Sequence, residues 1–136
     1  MTAEVILFPD VITIVASYLR AQLPSYGYTG IHVGARVPEE RPARFVRVDR
    51  VGGSRPNLVT DAATVLIESW AADEPAAHAL AQKCRALVHA MQGTVQSGVP
   101  IGRVDEFAAP ATLPDPTSDQ ARATQTLQVN LRGTAA

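Results

Sequence analysis

Apolar residues recur at helical spacing in two segments of the chain. The first covers Val11–Leu23; it follows Asp10, a residue type that caps helices, and ends at Pro24. The second covers Ala72–Met91, where Asp73 is the expected cap and small and apolar residues form one stripe. These patterns predict two helices, each with one face packed against a neighbouring layer.

Other segments alternate apolar and polar residues, as half-buried strands do, or are apolar on both faces. Ala62–Trp70 is rich in β-branched and apolar residues on both faces, which predicts a central strand covered on both sides. The last strand is the clearest, because Leu127, Val129 and Leu131 alternate with polar residues. The full set of predicted strands is Thr29–Val37, Arg44–Val51, Ala62–Trp70, Val104–Phe107 and Thr126–Arg132.

Two segments are predicted to be irregular. The sequence GGSRPN, Gly52–Asn57, separates two strands and is interpreted as a loop longer than a tight hairpin turn. The segment Glu106–Asp119 contains Pro110, Pro114 and Pro116, and proline lacks the amide donor that regular structure needs. Both segments are therefore expected to lie between elements.

The predicted order α-β-β-β-α-β-β indicates the α+β class. We expect a mainly antiparallel sheet with two helices packed on one face, in a single domain over residues 1–136. The length suits one domain with one real core.

Composition narrows the function classes. The net charge of −1 gives no overall attraction to nucleic acid or anionic membranes. Cys84 is the single cysteine, so neither an intrachain disulfide nor a cysteine metal cluster is expected. The first residues lack a basic signal-peptide region, and no apolar run approaches the roughly 18 residues of a membrane span. We expect a protein without a membrane partner.

The candidate catalytic and metal-binding patterns are weak. GGSRPN lacks the spacing and the lysine of a phosphate-binding loop. Ser54 has no nucleophile-elbow context, although a triad with His32 and a nearby aspartate stays open at this level. His78 and His89 lie about 16 Å apart along one helix, too far to share an ion. We predict no catalytic, cofactor-binding or metal-binding residues, and hence no enzyme.

Arginines are concentrated around the second predicted strand. Arg36, Arg41, Arg44, Arg47, Arg50 and Arg55 fall within one short stretch. Arg44 and Arg50 lie on one face of the predicted strand and Arg47 on the other, so the arginines form no single stripe for nucleic acid. Contacts with carboxylates of a neighbouring subunit are one interpretation, and a solvated sheet edge is another.

Two segments resemble the tail terminator, or tail completion, proteins of long-tailed non-contractile phages, particularly those of actinobacterial hosts. The first, Phe45–Val88, has a strand ending in Arg-x-Gly-Gly, then N-x-V-T-D, a strand ending in Trp-Ala and a helix with an Ala/Leu stripe. The second, Leu113–Gly133, has a Pro-Asp turn and a long last strand ending in Leu-Arg-Gly. One departure is Ala121–Ala123, where many relatives have an aromatic residue.

The resemblance implies a structural role without catalysis. Such proteins form a ring, generally a hexamer, at the head-proximal end of the tail tube; the ring stops tube polymerisation and joins the tail to the head connector. The implied partners are further copies of the chain, the major tail tube protein and the head-tail connector or head completion protein. DNA would pass through the lumen without sequence readout, and the protein would assemble in the host cytoplasm and reside in the virion.

From this role we expect subunit or tail-protein contacts at nine residues. GGSRPN would be the tip of an arm that reaches a neighbour, and the Pro-Asp turn a second contact. The expected interface residues are Arg47, Asp49, Arg50, Gly52, Gly53, Arg55, Asn57, Pro114 and Asp115. The alternatives are a related head-tail adaptor, or neck protein, a tail tube subunit and, less favoured, a small cytosolic enzyme.

Overall fold

The computed structural model describes residues 4–136 as two α-helices, one short 3-10 helix at Leu23–Tyr26 and eight strands. The helices are α1, Val11–Gln22, and α2, Glu74–His89. The strands are β1, Ile6–Leu7; β2, His32–Gly34; β3, Phe45–Asn57; β4, Thr60–Ala71; β5, Val95–Gln96; β6, Val99–Thr112; β7, Ala121–Arg132; and β8, Thr134–Ala135. Both helices begin at the predicted aspartates: Asp10 accepts from the Ile12 amide and Asp73 from the Ala76 amide.

The main sheet has the strand order β2-β3-β4-β7-β6-β5. Its pairs are antiparallel except β2 with β3, which are parallel. The long antiparallel pair of β4 and β7 runs in unbroken register from Thr60 opposite Arg132 to Ala71 opposite Ala121. β4 is therefore central, with a strand on each edge, as the sequence predicts, and the α+β class is confirmed. The prediction that both faces of β4 are covered is only partly right, because Thr60, Thr64 and Leu66 on the face away from the helices are half-buried.

Both helices pack on one face of this sheet, which we call the helix face. α2 lies over β4, β7 and β6, and α1 lies over β2 and β3. The buried side chains between them come from alternate strand positions, among them Val48, Val65, Ile67, Leu127 and Val129. Alternation thus assigns one face of each strand to the core and leaves the other face, the bare face, without helices.

The segment Gly52–Asn57 is not a loop. It continues β3, and the hairpin turn that follows contains only Leu58 and Val59 between the two strands. The register between β3 and β4 shifts between Arg50 and Gly52, which marks a β-bulge. Gly53 has φ +128, and a Cβ there would lie 2.2 Å from the Ala62 carbonyl oxygen, so the glycine permits the strand to continue.

The irregular region before the last strand is shorter than predicted. β6 extends through Thr112 and includes Pro110, and β7 already starts at Ala121. The prediction failed because β6 lies near the sheet edge. The outer edge of the strand at Pro110 has no neighbouring strand among residues 4–136, so the missing proline amide costs no inter-strand hydrogen bond there. Only residues 113–120 stay outside the regular strands.

A two-stranded ribbon of β1 and β8 joins the two ends of the described chain. It sits beside the β3–β4 hairpin, where the Gly133 amide donates to the Val59 carbonyl and the Arg55 guanidinium lies 5.2 Å from the centre of the Phe8 ring. A Cβ at Gly133 would lie 2.6 Å from Ile6, so only glycine fits this approach. No local pattern of apolar and polar residues predicts these short strands.

Candidate assembly surfaces

The outer edge of β3 is open over most of its length. β2 pairs with β3 only at Phe45, Val46 and Arg47, and within residues 4–136 no other strand continues that ladder. Residues 50–57 are all exposed, and this stretch contains the predicted interface residues Gly52, Gly53, Arg55 and Asn57. An unpaired strand edge presents free amides and carbonyls to a further strand.

The polar side chains at the end of this hairpin serve the turn itself. Arg55 donates to the Leu58 carbonyl at 2.7 Å, and Asn57 accepts from the Val59 amide at 3.1 Å. The segment is therefore not a flexible loop, because the turn is short, level with the end of β7 and closed by its own side chains. Its contact with a neighbouring protein stays a prediction. The available surface of this segment is its backbone edge.

The outer edge of β6 is open in a similar way. β5 covers it only at Val99 and Pro100, and the strand continues beyond them without an outer partner in the described structure. Its last part, Phe107–Thr112, contains no charged residue, and Phe107 is 56% exposed. An exposed apolar strand edge is a surface that proteins normally cover. This edge was not among the predicted interface residues, although its apolar composition could have signalled it.

The arginines of β3 are paired within the chain. Arg50 holds the buried Asp61 through two hydrogen bonds of 2.6 and 2.7 Å, and these bonds raise the pKa of Arg50. Arg47 binds both Asp49 and Glu68. Asp61 and Glu68 already lie opposite these arginines on β4, so both arginines have carboxylate partners within the chain. A contact of these arginines with carboxylates of another subunit stays a prediction.

The Pro-Asp turn is built around one buried carboxylate. The Asp115 side chain is only 4% exposed and accepts from Trp70 Nε1 at 2.9 Å and from Arg41 at 2.8 Å. It also accepts from Ser118 and from the Thr117 amide. Burial opposes ionisation, but these hydrogen bonds outweigh it and hold the pKa of Asp115 well below its usual range.

We call Arg41, Trp70, Asp115, Thr117 and Ser118 the Asp115 cluster. It fixes the 113–120 loop over Trp70, whose ring stacks on Phe45 at a centroid distance of 4.6 Å. Asp115 was predicted as an interface residue, but its carboxylate is occupied inside the chain. Pro114 next to it is exposed, so the surface of the turn remains available while its carboxylate does not.

Arg122 joins the turn to the sheet and was not among the predicted interface residues. Its guanidinium donates to the carbonyls of Leu113 and Pro114 and binds Glu68, which also binds Arg47. Arg122 stands in the segment where many relatives have an aromatic residue, and it lies 5.9 Å from the centre of the Trp70 ring. The Arg122 guanidinium thus supplies part of the packing that an aromatic residue would supply at this segment in those relatives.

The candidate chemical groups do not converge. No group of three or more metal-ligating side chains occurs in the part of the chain that the structure describes. His78 contacts Gln82, and His89 lies 3.6 Å from Glu106. Cys84 lies on the buried side of α2, and burial raises the pKa of its thiol to about 12, which suits a packed residue and not a nucleophile. Among residues 4–136, no helix has the length and apolar character to cross a bilayer.

Comparison with known proteins agrees with the resemblance drawn from the sequence. The chain matches the family described as phage tail termination protein over residues 7–136, nearly its whole length. No curated protein matches it. The match covers every strand of the main sheet and both helices. The chain therefore belongs to the phage tail termination protein family, whose members are structural proteins of the bacteriophage tail.

Proposed function

We propose that this protein forms a closed ring, with six copies as the expected number, at the head-proximal end of the tail tube. There it ends tube polymerisation, joins the tail to the head connector and catalyses no reaction. The observation that carries the proposal is the pair of open edges on opposite sides of one sheet, on β3 and on β6. Different surfaces that meet head to tail generate a ring when the rotation closes.

The directions of the two edges fit each other. β3 runs towards the hairpin turn and β6 runs away from that end, since Ile101 lies opposite Leu131 and Thr112 opposite Ala123. Two copies with the same axial orientation would therefore place β6 of one copy antiparallel to β3 of the next. Antiparallel edge pairing supplies main-chain hydrogen bonds without rearranging either sheet.

The open stretches are also offset along the strands. β2 covers the beginning of β3, so β3 is open towards the hairpin turn. β5 covers the beginning of β6, so β6 is open towards the opposite end. Joining the two edges requires a stagger between copies, and closed sheets have such a stagger because their strands tilt against the axis.

Small residues allow the edges to approach closely. The proposed contact on β3 includes Gly52 and Gly53, and the contact on β6 includes Ala108, Ala109 and Ala111. Covering the apolar stretch around Phe107 would remove an exposed patch from water. Pro114 and the surface around Asp115 were also predicted as interface positions, and they lie at the end of the molecule opposite the hairpin turn. We place a contact with the tube or the connector at that end.

The experiment compares Ala109→Lys on the β6 edge with Ala79→Lys on the exposed side of α2. A charged side chain on an edge strand disfavours pairing with another strand. Ala109→Lys should therefore remain monomeric by native mass spectrometry and should not cap tubes in electron micrographs. Ala79→Lys should form rings and cap tubes like the unmodified chain. Both variants should unfold at the same denaturant concentration as the unmodified chain.

Two outcomes would contradict the proposal. If Ala109→Lys assembled into rings as readily as Ala79→Lys, the β6 edge would not be a subunit contact. If the unmodified chain polymerised into long cylinders, or stayed monomeric beside tail tubes, the chain would be a tube subunit or an adaptor instead of a ring that ends the tube.

A further inference from the structure

We infer that the bare face of the sheet is the wall of the ring's central channel and faces duplex DNA in transit. This inference rests on the proposed ring. The channel wall would consist of the positions on β4 and β7 that point away from the helices, with Thr64, Thr124, Thr126 and Gln128 at its centre. The helices α1 and α2 would then lie on the outside of the ring.

The size of the sheet is the first argument. Four long strands, β3, β4, β7 and β6, make up its width. At the usual strand spacing they span about 19 Å per copy, or about 25 Å if tilted as in barrels. Six copies would then close a cylinder about 37–48 Å across between backbones.

The orientation of the sheet follows from that diameter. Side chains project about 5 Å from each wall, so an inward bare face leaves an opening of about 27–38 Å. Helices facing inward would reach about 15 Å from each wall and leave about 7–18 Å. Duplex DNA is about 20 Å across, so it passes only if the bare face points inward.

The charges of the bare face suit transit without retention. Its central threonines and Gln128 are uncharged, and they are half-buried beside Leu66. Most charged residues around them are paired on the same face: Arg47 with Asp49 and Glu68, Arg122 with Glu68, and Arg103 with Asp105. Arg132, at the hairpin end of β7, is exposed and has no ion-pair partner among residues 4–136. Affinity for the DNA backbone comes from cations that neutralise phosphates, and paired arginines offer little of that attraction.

A shallow groove lies across the bare face near the hairpin end, lined by residues from all four long strands. Ser54, Ala62, Gln128 and Asp105 represent β3, β4, β7 and β6 in its lining.

The test places a heavy-atom label on each face of the assembled ring. Cys84 is buried, so the unmodified chain should not react with a maleimide and provides a silent background. Thr126→Cys on the bare face and Ala86→Cys on the exposed side of α2 would each be labelled with a maleimide-linked gold cluster in preformed rings. In averaged electron micrographs, gold on Thr126→Cys should lie inside the central hole and gold on Ala86→Cys on the outer rim.

The outcomes separate this inference from the proposed ring. If the unmodified chain formed no ring, the proposed function would fail. Rings whose Thr126→Cys label lay on the outer rim would overturn the channel assignment alone. If unlabelled Thr126→Cys and Thr64→Cys both lost the ring while the unmodified chain kept it, the bare face would be a contact between copies, which also overturns the assignment.

A charge substitution gives an independent readout. Thr126→Lys would point one unpaired cation per copy into the channel, so its rings should bind a short DNA duplex at least about ten-fold more tightly than unmodified rings, with the difference lost at high salt. Ala86→Lys adds the same charge outside and should change binding less than two-fold. Equal binding by the two lysine variants would contradict the inference.

Discussion

The two faces of the central sheet use the same strands but are held in different ways. The helix face buries a continuous apolar layer that includes Ile67 and Leu127. The bare face has its own small buried region at one end, where the 113–120 loop and Arg41 cover Phe45 and Trp70, and carboxylates hold the arginines. Apolar burial therefore supports the helix face, whereas directed polar contacts order the bare face and leave its centre accessible.

The largest effect should come from opening a cavity in the helix face. Ile67 is fully buried in the core, so Ile67→Ala should lower the free energy of unfolding by about 2–5 kcal/mol. Thr126→Ala, on the bare face of the neighbouring strand, should change it by less than about 0.5 kcal/mol. Urea denaturation of both variants at a concentration where the chain is monomeric measures the difference. Comparable losses would mean that the bare face is as tightly packed as the helix face.

The next effect concerns the Asp115 cluster. Asp115→Asn keeps the shape of the side chain but leaves Arg41 without its buried counter-charge, so we expect a loss of about 1–3 kcal/mol at pH 7. Limited proteolysis should then cut the 113–120 loop faster than in the unmodified chain. An unchanged cleavage rate would show that the loop is ordered by something other than this carboxylate.

The pH dependence of stability, measured for the unmodified chain and for Asp115→Asn, gives a second test of the Asp115 cluster. The pKa of Asp115 is lower in the folded chain than in the unfolded chain, so its contribution to stability is present above the unfolded pKa of about 3.9 and is lost as the pH falls towards the folded pKa. The stability difference between the unmodified chain and Asp115→Asn should therefore shrink between pH 6 and about pH 3. A difference that stayed constant would contradict the charged state assigned to Asp115.

Removing the charge of a buried carboxylate should lower stability more than removing that of an exposed one, although both effects are smaller than those above. Glu68 has an 8% exposed side chain and binds two arginines, whereas Glu106, at 27%, binds Arg85 beside α2. Glu68→Gln should cost about 1–2 kcal/mol because Arg47 and Arg122 share that carboxylate. Glu106→Gln should leave the midpoint of urea denaturation nearly unchanged because water screens the exposed pair. Equal costs in urea denaturation would remove the distinction between the two sites.

The sequence alone determined both helices, the central strand and the clean alternation of the last strand. These elements could be predicted because their residues are neighbours in the chain: Asp10 and Asp73 cap the turns that follow them, and the apolar spacing repeats locally. The family resemblance also came from continuous segments, which is why a comparison of family patterns over residues 7–136 agrees with it.

Tertiary structure decided the features that depend on distant residues. The local sequences at Gly52–Asn57 and Pro110 are typical of loops. Pairing with β4 nevertheless extends β3 through Gly52–Asn57, and pairing with β7 extends β6 past Pro110. The carboxylate that holds Arg41 lies 74 residues away, and those that hold Arg47 and Arg122 are brought into reach only by strand pairing. Which strand edges stay open is likewise a property of the whole sheet, since an edge exists only once the order of strands is set.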